Sequence, residues 1–267
     1  MRLTKILRTK RPSFSDDKKT VNFFGPRCWQ ELNQDQLKYV LFLLSTYSDH
    51  VVVKTYMFLR FTGIHVISRD RFGWKCFVRT NRLGKRRFFT VEPWQIESLI
   101  GQFAYIDNYE MMDARLEKIN GLHAVDQELH GFRFADYLNT EKYYQAYNIN
   151  KNDRFLEQLA LFLYRKKNGN MARKIKMDRA ELLGVYLWYS HVKYRFSKAF
   201  PHFFKKIPLE SAGTYDFVQS MNAQIRALTE GDVTKEDLIF NTDCWRALTE
   251  LDQKAREAEE FNAKYNK

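Results

Sequence analysis

Apolar residues recur at helical spacing along most of the chain, with polar residues between them. The clearest example follows Asn33, where apolar residues at positions 37, 40, 41 and 44 fall on one face of a helix. The pattern predicts a mainly α-helical fold of the α+β class, with about eight helices in one globular body. The predicted helices span residues 33–44, 49–63, 93–103, 134–147, 153–164, 178–196, 214–231 and 234–251.

Residues at the ends of these segments favour the same helices. Asn33 is a suitable N-cap, and Gln36 stands three residues later, which is the spacing of a capping box. Asp49 suits the N-cap of the second helix, and Gly63 is typical of a helix C-terminus because glycine readily adopts the left-handed conformation. Pro93 suits the first turn of the third helix, where an N–H group is not needed.

The helical spacing of apolar residues is lost between residues 64 and 91. Three short runs in this segment are rich in β-branched and aromatic residues. Connections that contain glycine separate these runs, as is typical of β-hairpins. The segment therefore predicts a small antiparallel β-meander at 64–91, with a polar face that consists mostly of arginine and lysine.

The same pattern divides the chain into three regions. Residues 1–25 are basic and show no periodic spacing of apolar residues, which predicts an extended arm. Residues 26–230 contain the predicted helical body and the meander. Residues 231–267 predict a C-terminal helix, in which the apolar positions thin out to Phe261 and Tyr265 among charged residues. The end of this helix is predicted to protrude or to bind a partner, and fraying in solvent is the alternative.

Composition excludes several classes of protein. The 267 residues are 45% hydrophobic and 16% aromatic, which is too apolar for an intrinsically disordered chain. The 11 glycines and 5 prolines are too few for a collagen-like protein. No run of about 18 apolar residues is present, so no membrane-spanning helix is expected. The N-terminus does not resemble a secretory signal. Cys28, Cys76 and Cys244 lie far apart in the sequence, which indicates buried free thiols in a reducing compartment.

The net charge of +12 is concentrated in three segments. Residues 1–19, 60–87 and 165–206 carry +5, +8 and +10, so the rest of the chain carries −11. This pattern is typical of a protein that contacts a polyanion or an acidic protein surface. Solvated faces and loops are the alternative interpretation of the same segments.

Nucleic acid is the polyanion that the basic segments suggest. Two of the segments interleave basic with aromatic residues, as proteins that bind single strands do. Nucleic-acid binding through the three segments is therefore the alternative function, and nucleic acid the alternative partner. The candidate contact residues are Arg69, Arg71, Arg82, Lys85, Arg86, Arg87, Arg165, Lys166, Lys167, Arg173, Lys174 and Lys176.

No motif of a known catalytic class is present in the sequence. It contains no phosphate-binding loop, no dinucleotide-binding glycine motif, no nucleophile elbow and no zinc-protease helix motif. The best candidates for metal or acid–base chemistry are His123, Asp126 and His130, which would lie close to one face if the segment were helical. No cysteine lies near enough to complete a zinc site. We therefore predict a non-enzymatic protein without a metal or another cofactor, and an enzyme that uses these three residues in a pocket is the alternative.

Three stretches of the chain resemble a protein family. They are residues 28–39 (CWQELNQDQLKY), 126–138 (DQELHGFRFADYL) and 243–252 (DCWRALTELD). Along nearly its whole length the chain resembles uncharacterised proteins of prophages and tailed phages of Bacteroides-type gut bacteria. The resemblance implies a virion structural or assembly protein of the phage head–tail module, in the bacterial host cytoplasm or incorporated in the virion. Whether this protein is a connector, a tail component or an assembly chaperone stays open.

Such a protein would act through contacts with other phage structural or assembly proteins, including further copies of itself, and no membrane is expected among its partners. None of the three stretches is tied to a known activity, so the resemblance implies no site residue. The termini are the predicted docking elements, because both show weak apolar patterning. The docking residues are Arg8, Lys10, Arg11, Phe261 and Tyr265.

Overall fold

A computed structural model of the chain describes residues 13–14, 21–79, 85–205 and 217–265. Helices dominate these residues, and the strands form small antiparallel sheets. The predicted mainly helical α+β class is confirmed, and so is the predicted meander. No helix in these ranges is both long and apolar enough to cross a lipid bilayer.

The chain divides into two compact units. The first contains Met1–Ala114 and Arg179–Gly184, and the second contains Arg115–Asp178 and Val185–Lys267. The helices of the first unit are α1 (Gln34–Thr46), α2 (His50–Thr62) and α3 (Pro93–Gly101). Its strands are β1 (Ser13–Phe14), β2 (Val21–Asn22), β3 (His65–Asp70), β4 (Gly73–Arg79) and β5 (Arg86–Val91).

The ends of α1 and α2 carry the capping interactions that the sequence predicts. The Asn33 side chain accepts the backbone N–H of Gln36, and the Gln36 side chain accepts that of Asn33, each at 2.9 Å. Asp49 accepts the N–H of Val51 at the start of α2, and α2 ends at Gly63, which has a φ of 69°. Each cap satisfies a backbone group that a helix end leaves unpaired, so local residues define both helices.

Part of the predicted N-terminal arm forms a short ladder. β1 pairs with β2 in antiparallel orientation. Backbone pairing therefore occurs within a region for which the sequence predicts only an extended arm. The predicted docking residues Arg8, Lys10 and Arg11 lie outside the described residues.

The meander is the sheet β3–β4–β5, with β4 as its central strand. Its inner face is filled by Cys76 and Val78, which are almost completely buried. The ring of Phe23 lies 6.0 Å from that of Phe89 on this face and 6.0 Å from that of Phe58 on α2. The sheet therefore packs towards α2 through one face only.

The second unit holds most of the remaining helices. These are α4 (Phe134–Asn150), α5 (Asp153–Leu163), α6 (Arg179–Ala199), α7 (Phe217–Thr229), α8 (Glu236–Phe240) and α9 (Cys244–Tyr265), where residues 179–184 of α6 belong to the first unit. A small antiparallel sheet contains β6 (Lys118–Ile119), β7 (Leu122–Ala124) and β8 (Tyr164–Arg165) in that order. The largest buried side chains of the unit are Phe134, Tyr137, Tyr164, Trp188, Tyr189 and Phe196.

Several polar groups within the helical core of the second unit are paired. The Lys193 ammonium forms an ion pair with Glu141, with Nζ 2.7 Å from Oε2. The hydroxyl oxygens of Thr140 and Tyr189 lie 2.9 Å apart. Burial raises the pKa of Tyr189, so its phenol stays protonated and can act as a donor. Pairing offsets the desolvation of these groups and selects one packing of α4 against α6.

The helix predicted at 234–251 is interrupted between α8 and α9, so this prediction is wrong in its continuity. The N–H of Phe134 donates to the carbonyl of Thr242 at 2.8 Å, and the N–H of Cys244 donates to that of Phe132 at 2.7 Å. These bonds to a distant segment engage backbone groups that a continuous helix would need for itself. The long-range pairing therefore ends one helix and begins another.

We expect Gly73→Ala to destabilise the protein by about 3 kcal/mol. Gly73 has a φ of 126°, and a Cβ there would lie 2.1 Å from the carbonyl oxygen of Val91. Gly101→Ala is the matched control, since nothing lies within 4 Å of a Cβ at that position. Urea unfolding followed by circular dichroism measures both, and equal midpoints for the two variants would contradict the described pairing of β4 with β5.

Candidate nucleic-acid interface

Strand pairing places three aromatic rings in a row across the outer face of the β3–β4–β5 sheet. Phe77 on β4 lies opposite His65 on β3 and opposite Phe88 on β5. Directly opposite residues of antiparallel strands project to the same side. Because Cys76 and Val78 fill the inner face, these three rings, which we term the aromatic row, lie on the outer face.

The rings of the aromatic row contact one another. The His65 ring stacks on that of Phe77, with centroids 4.7 Å apart and planes inclined by 12°. The centroids of Phe77 and Phe88 are 5.9 Å apart. Phe88 is 63% exposed, although a phenylalanine is ordinarily buried. The row therefore presents aromatic surface to the solvent.

Basic side chains flank the aromatic row on the same face. Lys75 and Arg79 stand two residues before and two residues after Phe77 on β4, and Arg86 lies opposite Arg79 on β5. All three cations are exposed. The guanidinium of Arg86 lies 5.0 Å from the centroid of the Phe77 ring, which is a cation–π distance. The aromatic row and these three cations together form what we term the outer-face cluster.

The charge of the three strands is almost entirely positive. β4 and β5 contain no aspartate or glutamate, and the acid of β3, Asp70, stands at the turn, where it accepts the N–H of Phe72. Lys85, directly before β5, is exposed and adds to the positive charge. With so few acids within the three strands, the field at the outer face attracts anions.

Only some of the predicted contact residues belong to this face. Arg86 is part of the outer-face cluster, and Lys85 adjoins it. Arg71 lies exposed in the turn between β3 and β4, with its guanidinium 4.7 Å from the ring of Phe72. Arg82 lies outside the described residues.

Arg69 and Arg87, which are also candidate contact residues, belong to the opposite side of the sheet and do not share the face of Arg86. Arg69 lies opposite Trp74, with its guanidinium 4.9 Å from the indole ring, and Arg87 lies opposite Val78. The reason is the pleat, because neighbouring residues of a strand project to opposite faces.

The predicted contact residues of the third basic segment lie in the second unit. Arg165 stands on β8 and its side chain is only 15% exposed, because it pairs with Asp136 at 3.0 Å. The segment after β8 turns back sharply, and Arg165 pairs with Met171. The remaining predicted residues of the segment are exposed, namely Lys166, Lys167, Arg173, Lys174 and Lys176.

Most of the outer-face cluster is absent from the contact residues that the sequence predicts. The missing members are His65, Lys75, Phe77, Arg79 and Phe88. Alternation along β4 was an available signal, since positions 75, 77 and 79 must share a face. The register with β3 and β5, which adds the other rings, is not visible in the sequence.

The segment with His123, Asp126 and His130 is not helical, so the predicted shared helix face is wrong. His123 lies on β7, and Asp126 accepts the N–H groups of Glu128 and His130 in a turn, with His130 Nδ1 at 3.1 Å. Burial opposes ionisation of Asp126, but the bonds from His130 and Glu128 outweigh it and lower its pKa. Among the described residues no group of three or more His, Cys, Asp or Glu side chains is arranged to hold a metal ion.

The C-terminal docking residues lie on α9. Phe261 is exposed near the end of this helix, and Tyr265 is its last residue. An exposed phenylalanine on a charged helix is compatible with partner contact, and that role stays a prediction.

Comparisons of the chain with protein-family models, with curated proteins and with solved structures find no match. The functional interpretation therefore depends on the geometry of the chain itself. The outer-face cluster is the arrangement in the first unit whose chemistry is most specific, because it combines exposed rings with exposed cations on one surface.

We expect a cysteine introduced at position 88 to react with a thiol reagent at least about tenfold faster than one at position 89. Phe88 projects outwards, whereas Phe89 faces Cys76 on the inner side. Burial raises the pKa of Cys76 to about 11, so near neutral pH this native thiol stays protonated and unreactive. Labelling rates of Phe88→Cys and Phe89→Cys in a Cys28→Ser background measure the difference, and equal rates would refute the assignment of faces.

Proposed function

We propose that the protein binds single-stranded nucleic acid on the outer face of the β3–β4–β5 sheet. The observation that carries this proposal is the outer-face cluster, in which exposed rings and exposed cations share one surface. Proteins that bind single strands without reading their sequence combine these two elements.

The rings and the cations have separate roles in this proposal. Unpaired bases stack on Phe88 and its neighbours, and each stacked base contributes about 1–3 kcal/mol. Lys75, Arg79 and Arg86 neutralise phosphates and release bound counterions, which adds affinity that falls as salt rises. None of these contacts reads the edge of a base, so the expected sequence preference is weak.

A single strand suits this surface better than a duplex. The aromatic row crosses three strands, which is a width of about 10 Å at the usual strand spacing. That width accommodates two or three unstacked bases. The bases of a duplex already stack on one another, so their faces are closed to Phe77 and Phe88.

The interpretation as a non-enzymatic phage structural or assembly protein rests on the resemblance alone and remains a second proposal. Nucleic-acid binding is compatible with it, because phage proteins work beside a packaged genome. Mass spectrometry of purified virions and assembly intermediates is its test. Absence of the protein from both would reject the structural role and leave the binding proposal intact.

We expect Phe88→Ala to weaken binding of a short fluorescent oligothymidine about tenfold, because an exposed stacking ring of the row is lost. Phe42→Ala is the matched control, since Phe42 on α1 is 52% exposed but lies outside the sheet. Fluorescence anisotropy measures both affinities. An equal loss in both variants, or tighter binding of duplex than of single strand, would reject the proposed site.

We expect Arg86→Gln to make the slope of log K against log salt concentration about 0.7 less steep. This change corresponds to the loss of one phosphate contact. Arg256→Gln removes the same charge from α9 and serves as the control. Anisotropy titrations over a range of salt concentrations measure the slopes. A wild-type affinity that does not fall with rising salt would contradict phosphate contact altogether.

A further inference from the structure

A cleft of about 660 Å³ lies in the second unit, beside the end of β8, the start of α4 and the turn that follows β8. Its charged lining consists of Asp126, His130, Arg133, Asp136 and Arg165. Clefts of this size hold small organic ligands. We term it the arginine cleft.

Two arginines share one buried carboxylate in the arginine cleft. Arg133 donates from Nε and Nη2 to the two oxygens of Asp136, at 3.0 and 3.1 Å. Arg165 donates from Nη2 to the same carboxylate at 3.0 Å. The Asp136 side chain is only 8% exposed, so this ionic group is largely desolvated. Two guanidiniums against one carboxylate give the group a net charge of +1.

Arg165 is held rigidly and keeps donors for a ligand. Its backbone pairs on one side with His123 of β7 and on the other with Met171. Within the part of the chain that the structure describes, its guanidinium makes one hydrogen bond, which goes to Asp136. A guanidinium carries several further N–H groups, and Arg165 is one of the residues that line the cleft.

The other charged groups around the cleft include one carboxylate and two nearby lysines. Asp126, the second carboxylate of the lining, already accepts two backbone N–H groups and lies against the His130 ring. Lys166 and Lys167 follow Arg165 directly and are exposed on the turn. Asp126 is therefore already engaged, the two arginines supply cationic donors, and the nearby lysines strengthen the positive field.

From this geometry we infer that the arginine cleft binds the phosphate group of a small, nucleotide-sized phosphate monoester. Planar guanidiniums donate paired hydrogen bonds to phosphate oxygens. The charges of the group, of Asp126 and of the adjacent Lys166 and Lys167 total +2, which balances a phosphate dianion. The cleft is larger than a phosphate, so the remainder of the ligand occupies it as well. The inference does not depend on nucleic-acid binding by the sheet, which belongs to the other unit.

The test is calorimetric titration of the full chain with adenosine monophosphate, adenosine and inorganic phosphate. The monophosphate is expected to bind, inorganic phosphate to compete with it, and adenosine to bind at least about tenfold more weakly. Arg165→Lys keeps the positive charge but loses the planar guanidinium that can donate two parallel hydrogen bonds. The affinity of this variant for the monophosphate is therefore expected to fall about tenfold. Arg256→Gln, a surface charge loss on α9, is expected to retain the wild-type affinity.

Two results would overturn the inference. One is equal affinity of the wild type for adenosine and its monophosphate, or no binding of either. The other is wild-type affinity in Arg165→Lys. If circular dichroism shows that Arg165→Lys is unfolded, Arg133→Lys replaces it, because the Arg133 side chain is half exposed and tolerates exchange better. Oligothymidine binding by these variants is expected to equal that of the wild type, which would show that the cleft and the sheet bind their ligands independently.

Discussion

The pleat of β4 is the constraint on which the proposed interface depends. Successive side chains of a strand project to opposite faces, so burial of Cys76 and Val78 forces Lys75, Phe77 and Arg79 outwards. A shift of one residue in the register would exchange the two faces and bury the cations. Packing towards α2 through Phe23 opposes that shift, because the shift would replace the buried Cys76 and Val78 with side chains that include cations. The same strand register therefore determines both the core of the first unit and its candidate interface.

Arginine has different roles in the two units. On the sheet, Arg86 is exposed and lies beside a ring, so it suits an extended and mobile polyanion. In the arginine cleft, Arg165 is largely buried and held by Asp136, so it suits one small anion in a defined position. The difference arises from burial and pairing rather than from residue type. The basic segments with charges of +8 and +10 therefore place their arginines in different surroundings.

Local signals predicted the helices well where the helix ends depend on neighbouring residues. The capping box of Asn33 with Gln36 and the left-handed Gly63 are examples, since both involve residues within one turn of the helix end. The prediction was wrong where distant backbone competes. Pairing of residues 242 and 244 with residues 134 and 132 divides the last helix.

The sequence by itself determined the helical class, the position of the meander and the excess of positive charge on it, because periodicity and composition are local properties. It also indicated that aromatic and basic residues occur together there. Only the tertiary structure decided which of them share a surface. His65, Phe77 and Phe88 meet because three strands align in one register, and Arg133 and Arg165 meet because both reach the same buried carboxylate. Both arrangements depend on contacts between separate segments of the chain, such as Phe77 with Phe88 and Arg165 with Asp136, which no local pattern encodes.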